Sequence, residues 1–308
     1  MQFASDAMRV VMPYRPPYDW AAMVRFLGAR ATPGVERVDE RGYQRSISIG
    51  GYFGSIAVSQ MTGADALTVD VAIADPALVP PIVERVARMF DVDLDPVAVA
   101  TCLSRDPLLK RVCVSHSGIR LPGAWDPFEL AIRAILGQQI SVKAATTMAG
   151  RVAARWGEAI DVGHEVDRLF PSPSTLADAP LEEVGIIRAR ANTIRSLAQR
   201  VAARQLDFES AMVLDALMDV PGIGPWTAQY IAMRALRQVD AFPSGDLVLR
   251  RVAGDLTTRA LEARSARWRP WRAYAVMLLW QRAGAAPKPG KTLTKDAAPP
   301  RSRRRSKR

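Results

Sequence analysis

From residue 19 the apolar positions of WAAMVRFLGAR recur every three or four residues, and Asp19 stands where a helix cap belongs, so the spacing predicts a helix to about Arg30. The pattern then switches to alternation rich in β-branched residues over 43–49, 52–58 and 66–73, which predicts three strands, and Gly50-Gly51 marks a hairpin between the first two. Asp75-Pro76 opens a second helix that ends near Phe90. Beyond Asp91 the strand signal fades and the three-and-four spacing dominates, as in Phe128, Ile132, Ile135 and Leu136. Helices are expected over 95–104, 126–137, 141–156, 187–204, 211–218, 225–237, 246–256, 258–266 and 270–283, with a Pro- and Ser-containing connection over 169–180. The fold class expected is mostly α, with two helical lobes and an N-terminal α+β domain carrying a small antiparallel sheet. The expected segments are 1–92 (α+β), 93–286 (helical) and 287–308, a tail almost without large apolar residues and expected to be disordered.

Composition narrows the function classes. With 308 residues and 49% hydrophobic content the chain can build a substantial core. No apolar run approaches the roughly 18 residues of a membrane span, and the N-terminus lacks a signal-peptide pattern, so a cytoplasmic protein is expected. Cys102 and Cys113 are too few for a disulfide framework or an iron–sulfur cluster, and His116 and His164 form no metal-ligand spacing with them. The net charge is +11, but residues 288–308 hold nine basic residues and one acidic residue, a net +8. Most of the basicity is thus a terminal arm that seeks polyanions rather than a property of the folded part.

The most informative stretch is LMDVPGIGPWTAQYIAMRALRQVDAFPSGDLVLRR, residues 217–251. A helix end runs into the turn Pro221-Gly222-Ile223-Gly224, and a new helix begins at Pro225. Both glycines are expected at positive φ, and Pro at the first helical position sacrifices no hydrogen bond. The new helix therefore presents free N–H groups and a positive dipole end, which suit a phosphate. Read alone, the turn favours a plain helical hairpin over a phosphate site. Trp226, Tyr230 and Met233 share one face of the new helix, as a core stripe or as a stacking wall. Asp246 follows Pro243-Ser244-Gly245 and reads as a helix cap, a role compatible with chemistry; Asp240 competes for the catalytic place, and Asp219 reads as a surface residue.

VPGIGPWTAQYIAMRAL followed by DAFPSGD resembles the helix-hairpin-helix plus Gly/Pro-rich loop plus Asp superfamily of DNA glycosylases, and within it the bacterial 3-methyladenine DNA glycosylase II family. RPPYDWAAMVRFLGARA (15–31), LPGAWDPFELAIRAILGQQISVKAA (121–145) and RPWRAYAVMLLW (269–280) are similar to further parts of that family, so the resemblance covers about 15–284. It implies Asp246 as the catalytic aspartate and Trp226, Tyr230 and Trp280 as walls of a pocket for a flipped base, with Leu247 beside them where a tyrosine can occur. It implies that Gly222, Ile223, Gly224 and Thr227 form the phosphate-binding hairpin, with a monovalent cation at the backbone near Val220 and Ile223 and no side-chain metal ligands. Gln139 stands where a leucine can wedge into the DNA stack.

Superfamily members that also cut the backbone use a hairpin lysine, and Trp226 occupies that place. The implied activity is hydrolytic excision of alkylated bases such as 3-methyladenine and 7-methylguanine from double-stranded DNA, by a monomer needing no cofactor. Its place would be the bacterial cytoplasm, at the nucleoid. A non-catalytic DNA-binding or damage-sensing protein explains the hairpin and tail but not the aspartate beside aromatics, and excision of a mismatched or deaminated base is a third reading.

Overall fold

A computed structural model of the chain describes residues 7–161 and 166–285. His164 and the tail 287–308 lie outside the described residues. The chain opens with β1 (Met8–Pro13) and α1 (Trp20–Gly28), followed by β2 (Glu36–Asp39), β3 (Gly42–Ile49), β4 (Tyr52–Gln60) and β5 (Ala66–Ile73). These strands form one antiparallel sheet in the order β1-β5-β4-β3-β2. The three predicted strands are its centre. The two edge strands, β1 and β2, are additional to the sequence expectation; β2 is four residues long with every residue half-buried and shows no alternation, whereas β1 alternates between exposed and inward positions in the structure but reads MRVVMP, with Val10 and Val11 adjacent, so its sequence does not alternate apolar with polar. In β5 the alternation is plain, with Leu67, Val69, Val71 and Ile73 all buried. Met23 and Leu27 of α1 and Ile82, Val86, Met89 and Phe90 of α2 (Val79–Phe90) cover this face.

The remainder is helical: α3 (Pro96–Leu103), α4 (Pro107–Ser115), α5 (Pro127–Leu136), α6 (Val142–Trp156), α7 (Pro173–Leu176), α8 (Arg188–Ala202), α9 (Val213–Met218), α10 (Pro225–Arg234), α11 (Leu247–Val252), α12 (Thr258–Ser265) and α13 (Arg272–Ala285). Asp caps followed by Pro start α3, α4 and α5, since Asp accepts the orphan N–H groups and Pro has none to lose. The helix α4 was not expected, although Asp106-Pro107 carries the same start signal as Asp95-Pro96.

Two apolar clusters divide these helices. One gathers α5, α6, α8 and α9; the other gathers α3, α4, α11, α12 and α13. The helix α10 is shared, with Ala228 and Ile231 in the first cluster, Ala232 and Met233 in the second, and Tyr230 packed against both. The helix α1 is shared in the same way: Ala22 and Phe26, four apart, enter the second helical cluster, while Met23 and Leu27 enter the sheet's core. A cleft is left where α1, α5, α10 and the start of α11 converge.

Candidate active site

The turn before α10 is built as a close contact. Val220 accepts the Ile223 N–H at 3.0 Å, and Gly222 sits at φ +91° against Thr193, where a Cβ would lie 2.0 Å from the threonine Oγ1. Only Gly222 takes positive φ. Gly224, also expected there, is extended at φ −95°, because the chain has already reversed by then, and a Cβ on it would meet nothing within 4 Å. Its surroundings are open, and no side chain caps α10, so the first N–H groups of that helix face outward unclaimed. Ile223 and Thr227 are buried at 4% and 2% exposure, so their side chains hold the hairpin rather than present it.

The Thr227 hydroxyl accepts Gln138 Nε2 at 3.0 Å, and the same Nε2 donates to the Gly222 carbonyl at 2.9 Å. Arg190 Nη2 in turn donates to the Gln138 carbonyl at 2.6 Å. The next residue, Gln139, is exposed at φ +58° on the tip between α5 and α6. Nothing in the GQQIS segment distinguished the anchoring Gln138 from its exposed neighbour.

The loop after α10 delivers Asp246 to the cleft. Its Oδ1 accepts the N–H groups of Val248 and Leu249, both at 2.9 Å, and so caps α11; its Oδ2 accepts Trp226 Nε1 at 3.1 Å. Cap and cleft carboxylate are thus one group. Asp240 is held elsewhere, by Arg269 at 2.5 Å and Arg272 at 2.8 Å, and Asp219 ends α9 at the surface. Trp226 stacks on Tyr230 (centroids 5.4 Å apart, planes at 20°), and Tyr230 meets Trp280 at 6.2 Å. These three rings and Asp246 line a cleft of about 290 Å³. Met233, on the same helical face by spacing, is fully buried in the core instead. Leu247 does not line the cleft and is 69% exposed; Val248, the next residue, lines it.

Charge in the cleft was not visible in the sequence. Arg30, Arg45, Arg133 and Arg234 all line it. Arg45 is neutralised by Glu129 at 2.8 Å and Glu36 at 3.8 Å. Burial pulls the Arg234 guanidinium down to about 10, which leaves it charged at neutral pH. Burial by itself would raise the Tyr230 phenol, but Arg234 and Arg30 outweigh it and hold it below its ordinary value; Arg234 Nη1 donates to its hydroxyl at 3.1 Å. Phe26, behind Trp280 at 6.2 Å, carries the Arg30 guanidinium 3.7 Å above its centroid. Phe26 comes from α1 and Arg30 from the segment just after it, some 200 residues before α10, and in sequence they read as an ordinary amphipathic helix and its end.

A hairpin between two helices, followed by a loop-borne aspartate at a ring-lined cleft, defines the helix-hairpin-helix base-excision DNA repair class. Residues 132–267 match the family described as the HhH-GPD superfamily base excision DNA repair protein, and residues 9–126 match the AlkA N-terminal domain. The chain is 33% identical over 283 residues to DNA-3-methyladenine glycosylase 2 of Escherichia coli, covering 89% of this chain and 97% of that one. It belongs to the bacterial 3-methyladenine DNA glycosylase II family within that superfamily. A Mycobacterium tuberculosis relative, described as a probable bifunctional transcriptional activator/DNA repair enzyme AlkA, is 37% identical over 284 residues; that match covers 87% of this chain and 56% of the relative, so the chain spans little more than half its length. The same fold occurs in a 3-methyladenine DNA-glycosylase from Archaeoglobus fulgidus (TM-score 0.78, 18% identity, covering 90% of this chain and 99% of that one).

Proposed function

We propose that the protein is a monofunctional DNA N-glycosylase that excises alkylated bases such as 3-methyladenine and 7-methylguanine from duplex DNA, acting as a monomer in the cytoplasm and needing no cofactor. The observation that carries this reading is the Asp246 carboxylate, fixed by two backbone N–H groups and the Trp226 indole at the edge of an aromatic cleft. The hairpin N–H groups hold a phosphate, an electrostatic contact that weakens with salt. The damaged nucleotide rotates out of the stack at a cost of a few kcal/mol, and Gln139 stands where it can fill the gap. The base enters between Trp226, Tyr230 and Trp280.

The C1′–N bond then breaks with its electron pair going to the base, and positive charge develops on the sugar. Asp246 opposes that charge at a distance already set by its cap. Water forms the new C1′–O bond and yields its proton to the carboxylate or to solvent, leaving an abasic site. Hydrolysis rather than backbone cleavage is supported by the cleft lining, which among the described residues holds no lysine to form a Schiff base. Among the described residues no cluster of three His, Cys, Asp or Glu could hold a metal ion. A monovalent cation on the carbonyls of Val220 and Ile223 would strengthen phosphate capture; Val220, which accepts one N–H, keeps a second lone pair for it.

Asp246→Asn preserves the cap's shape and removes its charge. It should abolish release of 3-methyladenine while retaining binding to a duplex with an abasic analogue; undiminished release by that variant refutes the assignment.

A further inference from the structure

The helix α11 divides into two faces. Leu249 and Val252, with Ala253 at the helix end, turn into the second helical cluster, and Leu249 is fully buried there. Leu247 and Arg251, four residues apart, share the opposite face and lie open to solvent. The cap sets this phase. Asp246 Oδ1 takes the Val248 and Leu249 N–H groups, so the carboxylate that reaches the cleft also fixes Leu247 facing out.

The outer face of α11 adjoins the mouth of the cleft. Val142 and Val248 line the cleft while 43% and 40% exposed, so they stand at its opening, one from the start of α6 and one from α11. A duplex that delivers a nucleotide into the cleft has to close over this lip. Arg250 is already engaged, its Nε donating to the Leu256 carbonyl at 2.8 Å. Arg251 makes no side-chain hydrogen bond or ion pair among the described residues, and the nearest acid in sequence, Asp255, does not pair with it. A lone exposed leucine signifies little. Here an apolar side chain and a free cation stand about 6 Å apart along one helix face, beside the cleft carboxylate. Duplex DNA matches both, with apolar sugar and base surface next to an extruded nucleotide and a phosphate on every nucleotide.

Resting on the base-excision reading above, we propose that the outer face of α11 is a DNA contact separate from the hairpin. Leu247 packs on the sugar and base edge beside the extruded nucleotide, and Arg251 meets a backbone phosphate one helical turn away. The duplex is then held at three places around the cleft: the hairpin, the tip carrying Gln139 and α11. Closing over Leu247 also shields the Asp246 carboxylate from water, which strengthens its action on the sugar.

The test measures binding of the full chain to a duplex with an abasic analogue across a salt series, with melting temperature as the check on folding. Arg251→Gln should lower the slope of log affinity against log salt by about one. Arg111→Gln removes an exposed arginine of α4, outside the cleft lining, and should leave the slope of the wild type. Leu247→Ala should weaken binding by about tenfold at every salt concentration with the slope unchanged, because apolar burial is what it loses. Leu247→Met, which keeps the volume, should restore most of that affinity. A wild-type slope in Arg251→Gln, or wild-type affinity in Leu247→Ala, overturns the proposal. So does an equal fall in slope for Arg111→Gln, which makes the effect one of net charge. A wild-type protein that binds the duplex but releases no base removes the excision reading, a failure distinct from that of the α11 contact, which the variants decide.

Discussion

The two hairpin glycines allow folding and binding to be separated by the same substitution. In Gly222→Ala the new methyl would lie 2.0 Å from Thr193 Oγ1 and 3.1 Å from Thr193 Cβ. Thr193 is buried and its hydroxyl is bonded to the Ala189 carbonyl at 3.1 Å, so it has no room to retreat. A side chain forced into left-handed backbone costs about 1–2 kcal/mol, and overpacking adds about 1–3 kcal/mol. The expected loss of stability is therefore roughly 2–5 kcal/mol, read by urea denaturation. Adding Thr193→Ala should recover the steric part and leave the backbone part.

Gly224→Ala should do the reverse. Its φ of −95° suits any residue and no heavy atom stands within 4 Å of the new methyl, so stability should change by no more than about 1 kcal/mol. The methyl would, however, stand where, on the proposed function, a phosphate approaches the first N–H groups of α10. Affinity for an abasic-analogue duplex should fall by about tenfold, the loss of roughly one good hydrogen bond. Equal destabilisation by the two substitutions, or unchanged DNA affinity of Gly224→Ala, would refute the reasoning.

Trp226→Phe keeps the stacking surface and removes the indole N–H that reaches Asp246 at 3.1 Å; single-turnover excision should fall by about tenfold, with thermal stability little changed. Asp106 is 1% exposed, and burial alone would push its carboxyl up, but hydrogen bonds from Arg264, the Leu108 N–H and Trp268 hold it below the usual carboxylate range. A depressed folded-state value stabilises above the unfolded value of about 3.9 and is lost as pH falls through the folded one. Asp106→Asn should thus be less stable than wild type at pH 7, and the gap in melting temperature should narrow below about pH 4; a constant gap contradicts this.

Local pattern revealed what is local. The start of α10, the cap at Asp246 and the central strands each follow from a few neighbouring residues, and each was legible. The edge strands were not, because β2 is short and uniformly half-buried, and in β1 the burial alternates while the residues of MRVVMP do not. Trp226 and Tyr230 could be placed on one helical face, but spacing alone could not tell that Met233 turns into the core while the other two face the cleft. The exchange of Leu247 for Val248 at the cleft has the same origin, since a helix of only six residues fixes its phase by its cap rather than by a long apolar stripe. Least legible was the arginine lining, assembled from the segment after α1, from β3, from α5 and from α10, where each arginine taken singly is an ordinary polar position.

The Gln138 side chain fixes a distance as well as a shape. It fastens the tip carrying Gln139 to the turn carrying Gly222, and Arg190 fastens the same tip from α8. On the proposed function, a duplex gripped at the turn would therefore be probed at one set offset along its length. The gripped phosphate would choose the base pair to be questioned, and moving to the next pair would require letting go of the backbone. The protein would then inspect DNA in steps of whole nucleotides, with its stride set by two hydrogen bonds of a single amide group.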